Sequence, residues 1–496
     1  MLKSLRIALA SVSFVLITAL FLDFTGVAQE HFGWLAKIQF IPALLSLNFL
    51  ALVFLSILTL LLGRVYCSVI CPLGVMQDII NRIRGSVGKK SKRKNRFRFK
   101  KALPVVRFVF LALFVVCVAF GFMSMAALIE PYSEFGRIVS TFFAPVYDWA
   151  NNMLADAAQA RDSYMFYHVP VQFMFGPAMI VAGITFLIVA LFAWLDGRGY
   201  CNSVCPVGTI LGYASKFSIF KPVINPAVCN GCSKCSRNCK SSCIDYKQHK
   251  IDYSRCVACM DCLGVCAKDA IKYTYKRYDS ETSPSRAAVD GGRRTFIALS
   301  GIMAGAALAK AEEKVTDGGF AAIIPKEKPV RKYRISPPGS RSHSNLERKC
   351  TSCQLCIASC PNEVLRPSME LETFMQPEVS YERGYCRPEC VRCSEVCPSG
   401  AIVRIESPEK SSTQIGQAVV NHENCLAASQ GVKCGKCSVK CPVQAIVMVA
   451  SPSNDSVLIP AVNESLCIGC GACEHLCPVS PQSAIVVHGH EVHRLV

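Results

Sequence analysis

Six short stretches of this chain each carry four cysteines, a density that a hydrophobic core has no use for and that fixes what the surrounding backbone must fold around. Residues 229–239 read CNGCSKCSRNC and residues 256–266 read CVACMDCLGVC. Both follow C-x2-C-x2-C-x3-C, the spacing with which three thiolates reach three corners of one 4Fe-4S cubane while the fourth reaches the neighbouring cluster. By that crossed rule Cys229, Cys232, Cys235 and Cys266 hold one cluster, and Cys256, Cys259, Cys262 and Cys239 hold the other. Neither fourth cysteine is followed by proline, and Cys243, just beyond Cys239, is an alternative ligand. Zinc suits an isolated C-x2-C pair, but four evenly spaced thiols in tandem fit it poorly.

Four further motifs lie in the C-terminal third. They are Cys350, Cys353, Cys356 and Cys360; Cys386, Cys390, Cys393 and Cys397; Cys425, Cys434, Cys437 and Cys441; and Cys467, Cys470, Cys473 and Cys477. Each ends in Cys-Pro, where proline fixes the backbone as the last thiolate leaves the loop. The last three, like the motif at 256–266, are followed closely by Ala-Ile, at 401–402, 445–446, 484–485 and 270–271, which predicts a short apolar strand over the clusters. Six motifs predict six 4Fe-4S clusters. Spacing leaves the pairing of the last four open: neighbours cross, or the first pairs with the fourth and the second with the third.

The rest of the chain is a different kind of polymer. Of 496 residues 51% are hydrophobic and 18% charged, which leans towards a membrane protein, and the length excludes a small disulfide scaffold. Apolar stretches at 7–28, 40–63, 104–129 and 170–195 each approach or exceed the roughly 20 residues that cross a bilayer. Between the second and third, residues 81–107 hold twelve of the chain's lysines and arginines and no acid. Placed between two spans, this run is a cytoplasmic anchor rather than a nucleic-acid surface. The segment from Glu130 to Val169 carries five acids against two arginines, with Trp149 and several tyrosines, and reads as an outer loop. The predicted fold is therefore a membrane α-helical bundle of about four transmembrane helices followed by ferredoxin-like α+β 4Fe-4S domains.

Residues 291–311, GGRRTFIALSGIMAGAALAKA, pair Arg293-Arg294 with a short Ala/Gly-rich apolar stretch, as a twin-arginine export signal does. A surface helix or linker is the bland alternative. As a signal-like anchor it places everything beyond about residue 311 outside the cytoplasmic membrane. The predicted domains are 1–220 for the membrane helices, 221–278 for a dicluster unit, 279–348 for the linker with the signal-like segment, and 349–496 for a four-cluster unit.

An internal repeat stands at the ends of the second and fourth spans. GRVYCSVICPLG at 63–74 and GRGYCNSVCPVG at 197–208 share G-R-x-Y-C-x3-C-P-x-G. Two copies at equal depth predict that Cys67, Cys71, Cys201 and Cys205 come together, each pair on one helical face, as a metal site or a dithiol/disulfide couple. Buried thiols in two helix-end turns are the plain alternative. Arg64 and Arg198 would favour thiolates or anionic head groups nearby.

With these motifs the first 270 or so residues resemble the membrane polyferredoxin family that includes NapH, MauN, NosR and CcoG. Residues from Gly291 onward, with the signal-like segment and the long Cys425-x8-Cys434-x2-Cys437 spacing, resemble the NapG and MauM periplasmic four-cluster ferredoxins. The resemblance implies a fusion that carries electrons between the membrane quinone pool and a periplasmic c-type cytochrome or terminal reductase, as an electron carrier or quinol dehydrogenase subunit. The chain has no C-x-x-C-H haem attachment, no P-loop and no dinucleotide fingerprint, so quinol is the natural two-electron partner. Glu130, Tyr132 and Glu134 are candidate proton shuttles, or ordinary interface residues. A copper reductase or assembly factor resembling CcoG, or a regulator resembling NosR, is the alternative function. His488, His490 and His493 form a candidate tail metal site, against an inert exposed tail. The predicted geography leaves a hydrocarbon layer about 30 Å thick between the two sets of clusters.

Overall fold

The computed structural model describes residues 2–87, 97–163, 165–169, 171, 177–275, 326–451 and 454–495. The signal-like segment 291–311 and the middle of the basic run fall outside these residues. Among the described residues two helices, Leu2–Leu22 and Pro177–Asp196, are long and apolar enough to cross a membrane, not four. The second expected span breaks because Asn48 caps a new helix, accepting the Ala51 N–H at 3.2 Å, which leaves only Phe49–Leu62. The third runs as Pro104–Ala119 and breaks near Gly121, whose φ of 82° lies in the left-handed region. Both remain apolar helices of 14 and 16 residues.

These helices keep most of their apolar side chains on the outside. Leu9, Val12 and Val15 on the first, Leu50, Phe54 and Ile57 on the second, and Ile180, Ile184 and Leu187 on the last are all exposed. Only 22% of either long helix's apolar window is buried, the reverse of a helix in a soluble core.

The stretch after Ile129 departs most from expectation. Its polar composition predicts an outer loop, yet every residue of the helix Pro131–Ile138 is buried. Pro131 sits in the first turn and the Glu130 carboxylate caps it by accepting the Ser133 N–H. Glu130, Glu134 and Arg137 are all buried with it; the two carboxylates accept from Ser133 and Tyr200, and no nitrogen of the Arg137 guanidinium has a partner among the described residues. Farther along, Tyr147 and Trp149 on Ala144–Gln159 are exposed, as an interfacial pair would be.

The two cysteine-rich parts sit at opposite ends of the helices. At the start of Leu2–Leu22, Lys3 pairs with Asp261 of the 229–266 unit at 3.0 Å. Just past its end, the Thr25 carbonyl accepts from Arg392 of the C-terminal unit at 2.9 Å. The antiparallel Phe49–Leu62 repeats this in reverse: Ser46 before it lies against Gly400, and the Leu62 carbonyl at its end accepts from Tyr273 Oη at 2.7 Å. A helix of 21 residues rises about 30 Å, so the units are separated by a bilayer-like thickness filled with helices.

Each cysteine-rich unit is built from two-stranded antiparallel pairs. Lys221–Ile224 pairs with Ile271–Thr274 in register Ile224 to Ile271, and Thr413–Val420 pairs with Ile485–Leu495 in register Val420 to Ile485. Ile446–Ser451 pairs with Asn454–Val462. Three of the four Ala-Ile signals therefore open a strand. Ala401 and Ile402 are buried but lie in a bend, where Ile402 N–H turns to Cys397 Sγ at 3.4 Å and Val403 N–H to the Gly339 carbonyl at 2.9 Å.

Candidate functional site

The ferredoxin-type cysteines gather as crossed sets. One cavity is lined by Cys229, Cys232, Cys235 and Cys266, and another by Cys425, Cys434, Cys437 and Cys477. Elsewhere electrostatic neighbours tell the same story. Burial raises the thiol pKa values of Cys350, Cys353 and Cys356, and the Cys397 sulfur adds to the effect on all three. Cys393 is raised by burial and by Cys386 and Cys360, and Cys467 and Cys470 both feel Cys441. In each of these sets the last thiol of one motif thus lies near thiols of the neighbouring motif. Such buried thiols ionise only against a compensating charge, which iron supplies. Cys243 sits between Cys239, 3.5 Å away sulfur to sulfur, and Cys256, so the three thiols form one group.

The C-terminal sets are arranged in series. The Cys386 N–H donates to the Cys470 carbonyl at 2.9 Å, joining the second set to the fourth. The first set, at Cys353, meets the N-terminal helices: a Cβ on Gly136 would strike its carbonyl oxygen and lie 2.8 Å from the Phe21 ring. Tyr132, buried beside it, feels both Cys353 and Cys397.

Between the two units stands the repeat. Its two cysteines do not share one helical face, because Pro72 and Pro206 start new helices. Cys67 and Cys201 lie on the short helices Tyr66–Val69 and Gly199–Ser203, whereas Cys71 and Cys205 precede Pro72–Val87 and Pro206–Ala214. Cys205 caps its helix, accepting the Gly208 N–H at 3.3 Å. The two copies are locked by a reciprocal exchange. Arg198 Nη1 donates to the Cys67 carbonyl at 2.7 Å while Arg64 Nη2 donates to the Cys201 carbonyl at 3.1 Å. Each arginine also faces the sulfur of its own copy, at 3.8 Å for Cys67 and 3.9 Å for Cys201. The last glycine of the motif permits this approach, since a Cβ on Gly74 would lie 2.5 Å from Arg198 Nη1 and one on Gly208 3.0 Å from Arg64 Nη2.

From here contacts run both ways. Towards the 229–266 unit, Arg64 and Arg107 donate to the Ser254 carbonyl at 3.1 and 3.2 Å, two residues before Cys256. The Arg198 N–H donates to the Lys240 carbonyl at 2.9 Å, beside Cys239. Towards the C-terminal unit, Tyr200 Oη donates to Glu134 Oε1 at 2.6 Å, two residues before Gly136. Glu134 and Tyr200 also border a cavity of about 540 Å³ whose other walls include Phe110, Ile129, Ile188 and Phe192.

Sequence reasoning missed Gln77, Asp78 and Arg107. Asp78 accepts from Arg198 at 2.8 Å and from Lys240 at 2.7 Å; burial opposes its ionisation, but the two cations hold its carboxyl well below the usual range. A lone arginine inside an apolar stretch was the available signal for Arg107. The proposed proton residues divide: Glu134 meets the cavity, while Tyr132 lies against Cys353. His488, His490 and His493 are not a free tail. They lie in the strand Ile485–Leu495, and His493 bonds Ser336 Oγ at 2.8 Å.

A family model described as "4Fe-4S binding domain" matches residues 45–93 and again 176–224, and one described as "4Fe-4S dicluster domain" matches 432–480. The methylamine utilization ferredoxin-type protein MauM of Paracoccus denitrificans is 33% identical over 172 residues, covering 32% of this chain and 75% of that one. The ferredoxin-type protein NapF of Escherichia coli is 32% identical over 156 residues, 32% of this chain and 87% of its own. A YccM-type electron transport protein of Escherichia coli is 25% identical over 264 residues, 53% of this chain and 65% of its own. The chain spans 37% and 65% of the lengths of the two first-ranked curated relatives. No solved structure matches it.

Proposed function

Because the chain belongs to the ferredoxin-type 4Fe-4S electron-transfer proteins, we propose that it is a membrane-embedded conductor that carries electrons from quinol, across the bilayer, to a periplasmic cytochrome or reductase. Six clusters, bound by the twenty-four cysteines of the six motifs in crossed pairs, take up and release single electrons. The two motifs at 229–266 face the cytoplasm, the four beyond residue 349 face the periplasm after export by the 291–311 segment, and the whole is a fusion of a NapH/MauN-type with a NapG/MauM-type protein.

One observation carries this reading: a continuous line of contacts joins Cys256 through Ser254, Arg64, the repeat, Tyr200 and Glu134 to Cys353. A ferredoxin assembled for local storage has no need of such a line. The exposed apolar flanks of all four long or shorter helices support embedding in lipid, with the two long ones spanning and Phe49–Leu62 and Pro104–Ala119 completing the bundle.

The cavity beside the line suits a quinol. Apolar walls at Phe110, Ile188 and Phe192 accept a ring and its tail, while Glu134 and Tyr200 offer a hydrogen-bonded pair to receive its protons. Two electrons and two protons must leave each quinol; because Tyr200 carries its own proton and donates it to Glu134, the Glu134 carboxylate takes the quinol protons one at a time and passes them on beside the electron path. Anaerobic addition of a water-soluble quinol analogue to the purified protein tests this by EPR. Cluster signals characteristic of reduction are expected, and Glu134→Gln slows their appearance. Intact clusters that stay oxidised with quinol yet reduce with dithionite would remove quinol from the scheme.

A further inference from the structure

Each segment matched by the "4Fe-4S binding domain" model holds only two of the four cysteines that a cubane requires, Cys67 and Cys71 in one and Cys201 and Cys205 in the other. The fold brings the two halves together. All four thiols are buried, Cys71 and Cys205 each feel the sulfurs of the other copy, and Cys201 feels Cys67. We propose that Cys67, Cys71, Cys201 and Cys205 jointly bind a seventh iron–sulfur cluster, midway between the two cysteine-rich units. This rests on the electron-conducting reading above and supplies its missing step.

The surroundings are built for an anion. Arg64 and Arg198 are 0% exposed. Among the described residues no carboxylate pairs with Arg64; its guanidinium meets Asn202 Oδ1, two carbonyls and Cys67 Sγ, and its Nε has no partner. Arg198 shares its one carboxylate, Asp78, with Arg6 and Lys240, and its Nη2 is also without a partner. A buried guanidinium without a counter-charge is strongly disfavoured, so a compensating anion suits Arg64 above all. An oxidised cubane with four thiolates carries about −2. Sulfur-directed donors are already in place: Gln77 Nε2 at 3.2 Å from Cys201 Sγ and the Gly208 N–H at 3.3 Å from Cys205 Sγ. Hydrogen bonds of this kind to ligand sulfur tune cluster potential.

Among the described residues no three metal-ligating side chains close on a single point. The same holds for the six ferredoxin-type motifs, whose thiolates stand round a cage rather than a point. The proposed centre splits the roughly 30 Å interval between the two units, which one hop does not bridge. It gains one electron as the cluster at Cys256, Cys259 and Cys262 loses one, and it loses one as the cluster at Cys350, Cys353 and Cys356 gains one. No bond is made or broken, and the iron–sulfur core alternates between formal charges of 2+ and 1+.

Iron and acid-labile sulfide should be counted on the full-length protein purified anaerobically, beside Cys71→Ala and Cys205→Ala. The proposal predicts about 28 iron and 28 sulfide per chain, falling to about 24 in either variant with the remaining cluster signals kept. If the variants fail to assemble, the wild-type count alone decides, at 28 against 24. A wild-type count of 24, with these four thiols recovered free or as disulfides, overturns the seventh cluster and leaves the six-cluster conductor standing. One copper or zinc per chain, lost in the variants, likewise overturns it. A count far below 24 would instead sink the conductor reading itself.

Discussion

Replacing Gly136 by leucine should disconnect the two ends of the protein without harming either. Gly136 lies on Pro131–Ile138, where a Cβ would sit 2.8 and 2.9 Å from ring carbons of Phe21 and closer still to the carbonyl oxygen of Cys353. Carbon atoms pack at about 3.5–4.0 Å, so the first added carbon already requires a shift near 1 Å, and leucine brings three more. Leucine gains roughly 0.8 kcal/mol in helix propensity over glycine, whereas overpacking of a filled site costs about 1–3 kcal/mol. The clash wins by up to about 2 kcal/mol, and the cheapest relief is to lift the C-terminal unit away from the helices. Dithionite, which reaches each cluster directly, should reduce the variant as fully as the wild type. Quinol-driven reduction of the four C-terminal clusters should slow strongly, while the two at 229–266 respond as before. An unchanged quinol-driven rate in a folded Gly136→Leu variant would refute the contact at Cys353 as the route.

Other consequences follow from single contacts. Arg331 and Glu474 form an ion pair with both side chains about 5% exposed or less, and Glu474 Oε2 also accepts the Val487 N–H at 2.7 Å. Glu474→Ala should therefore destabilise the C-terminal unit by about 3–5 kcal/mol in thermal denaturation, and a loss below about 1 kcal/mol would contradict the pair's burial. Asp78 is held ionised by Arg198 and Lys240, so its contribution is present above its unfolded pKa near 3.9 and fades only as pH falls below that. The stability gap between wild type and Asp78→Asn should thus stay flat from pH 8 to pH 5; a gap that closes within that window would disprove the assignment. Tyr200→Phe removes the hydroxyl that donates to Glu134 and should slow quinol oxidation while leaving dithionite reduction intact, measured by stopped-flow absorbance. Stripping iron with a chelator under mild denaturant should unfold the 229–266 unit, whose buried apolar core beyond its cysteines is Ile224, Ile244, Ile251 and Ile271, and leave the helices, read by circular dichroism.

The cysteine spacings carried most of what could be read without coordinates, because ligand geometry is local: three thiols must meet three corners of one cube. The repeat was legible for the same reason, down to the arginine at its second position. Three features were hidden because their causes are not local. Pro131–Ile138 reads as a loop because its polar residues are buried only by packing from distant elements, such as Phe21 against Phe135 and Tyr200 against Glu134. The C-x3-C pairs read as one helical face, but Pro72 and Pro206 start fresh helices at that point. Counting four spans failed where Asn48 and Gly121 interrupt apolar runs that length alone would pass. The predicted gap between the cluster groups is filled by residues that composition hides, notably Arg64, Tyr200 and Glu134.

The central claim is that one chain conducts electrons from one face of a membrane to the other. The protein, reconstituted without quinone into sealed vesicles loaded with ferricyanide, should pass electrons from dithionite added outside, and the trapped ferricyanide should bleach. Ferricyanide that stays yellow, in vesicles whose protein retains its full iron and sulfide, would contradict the account.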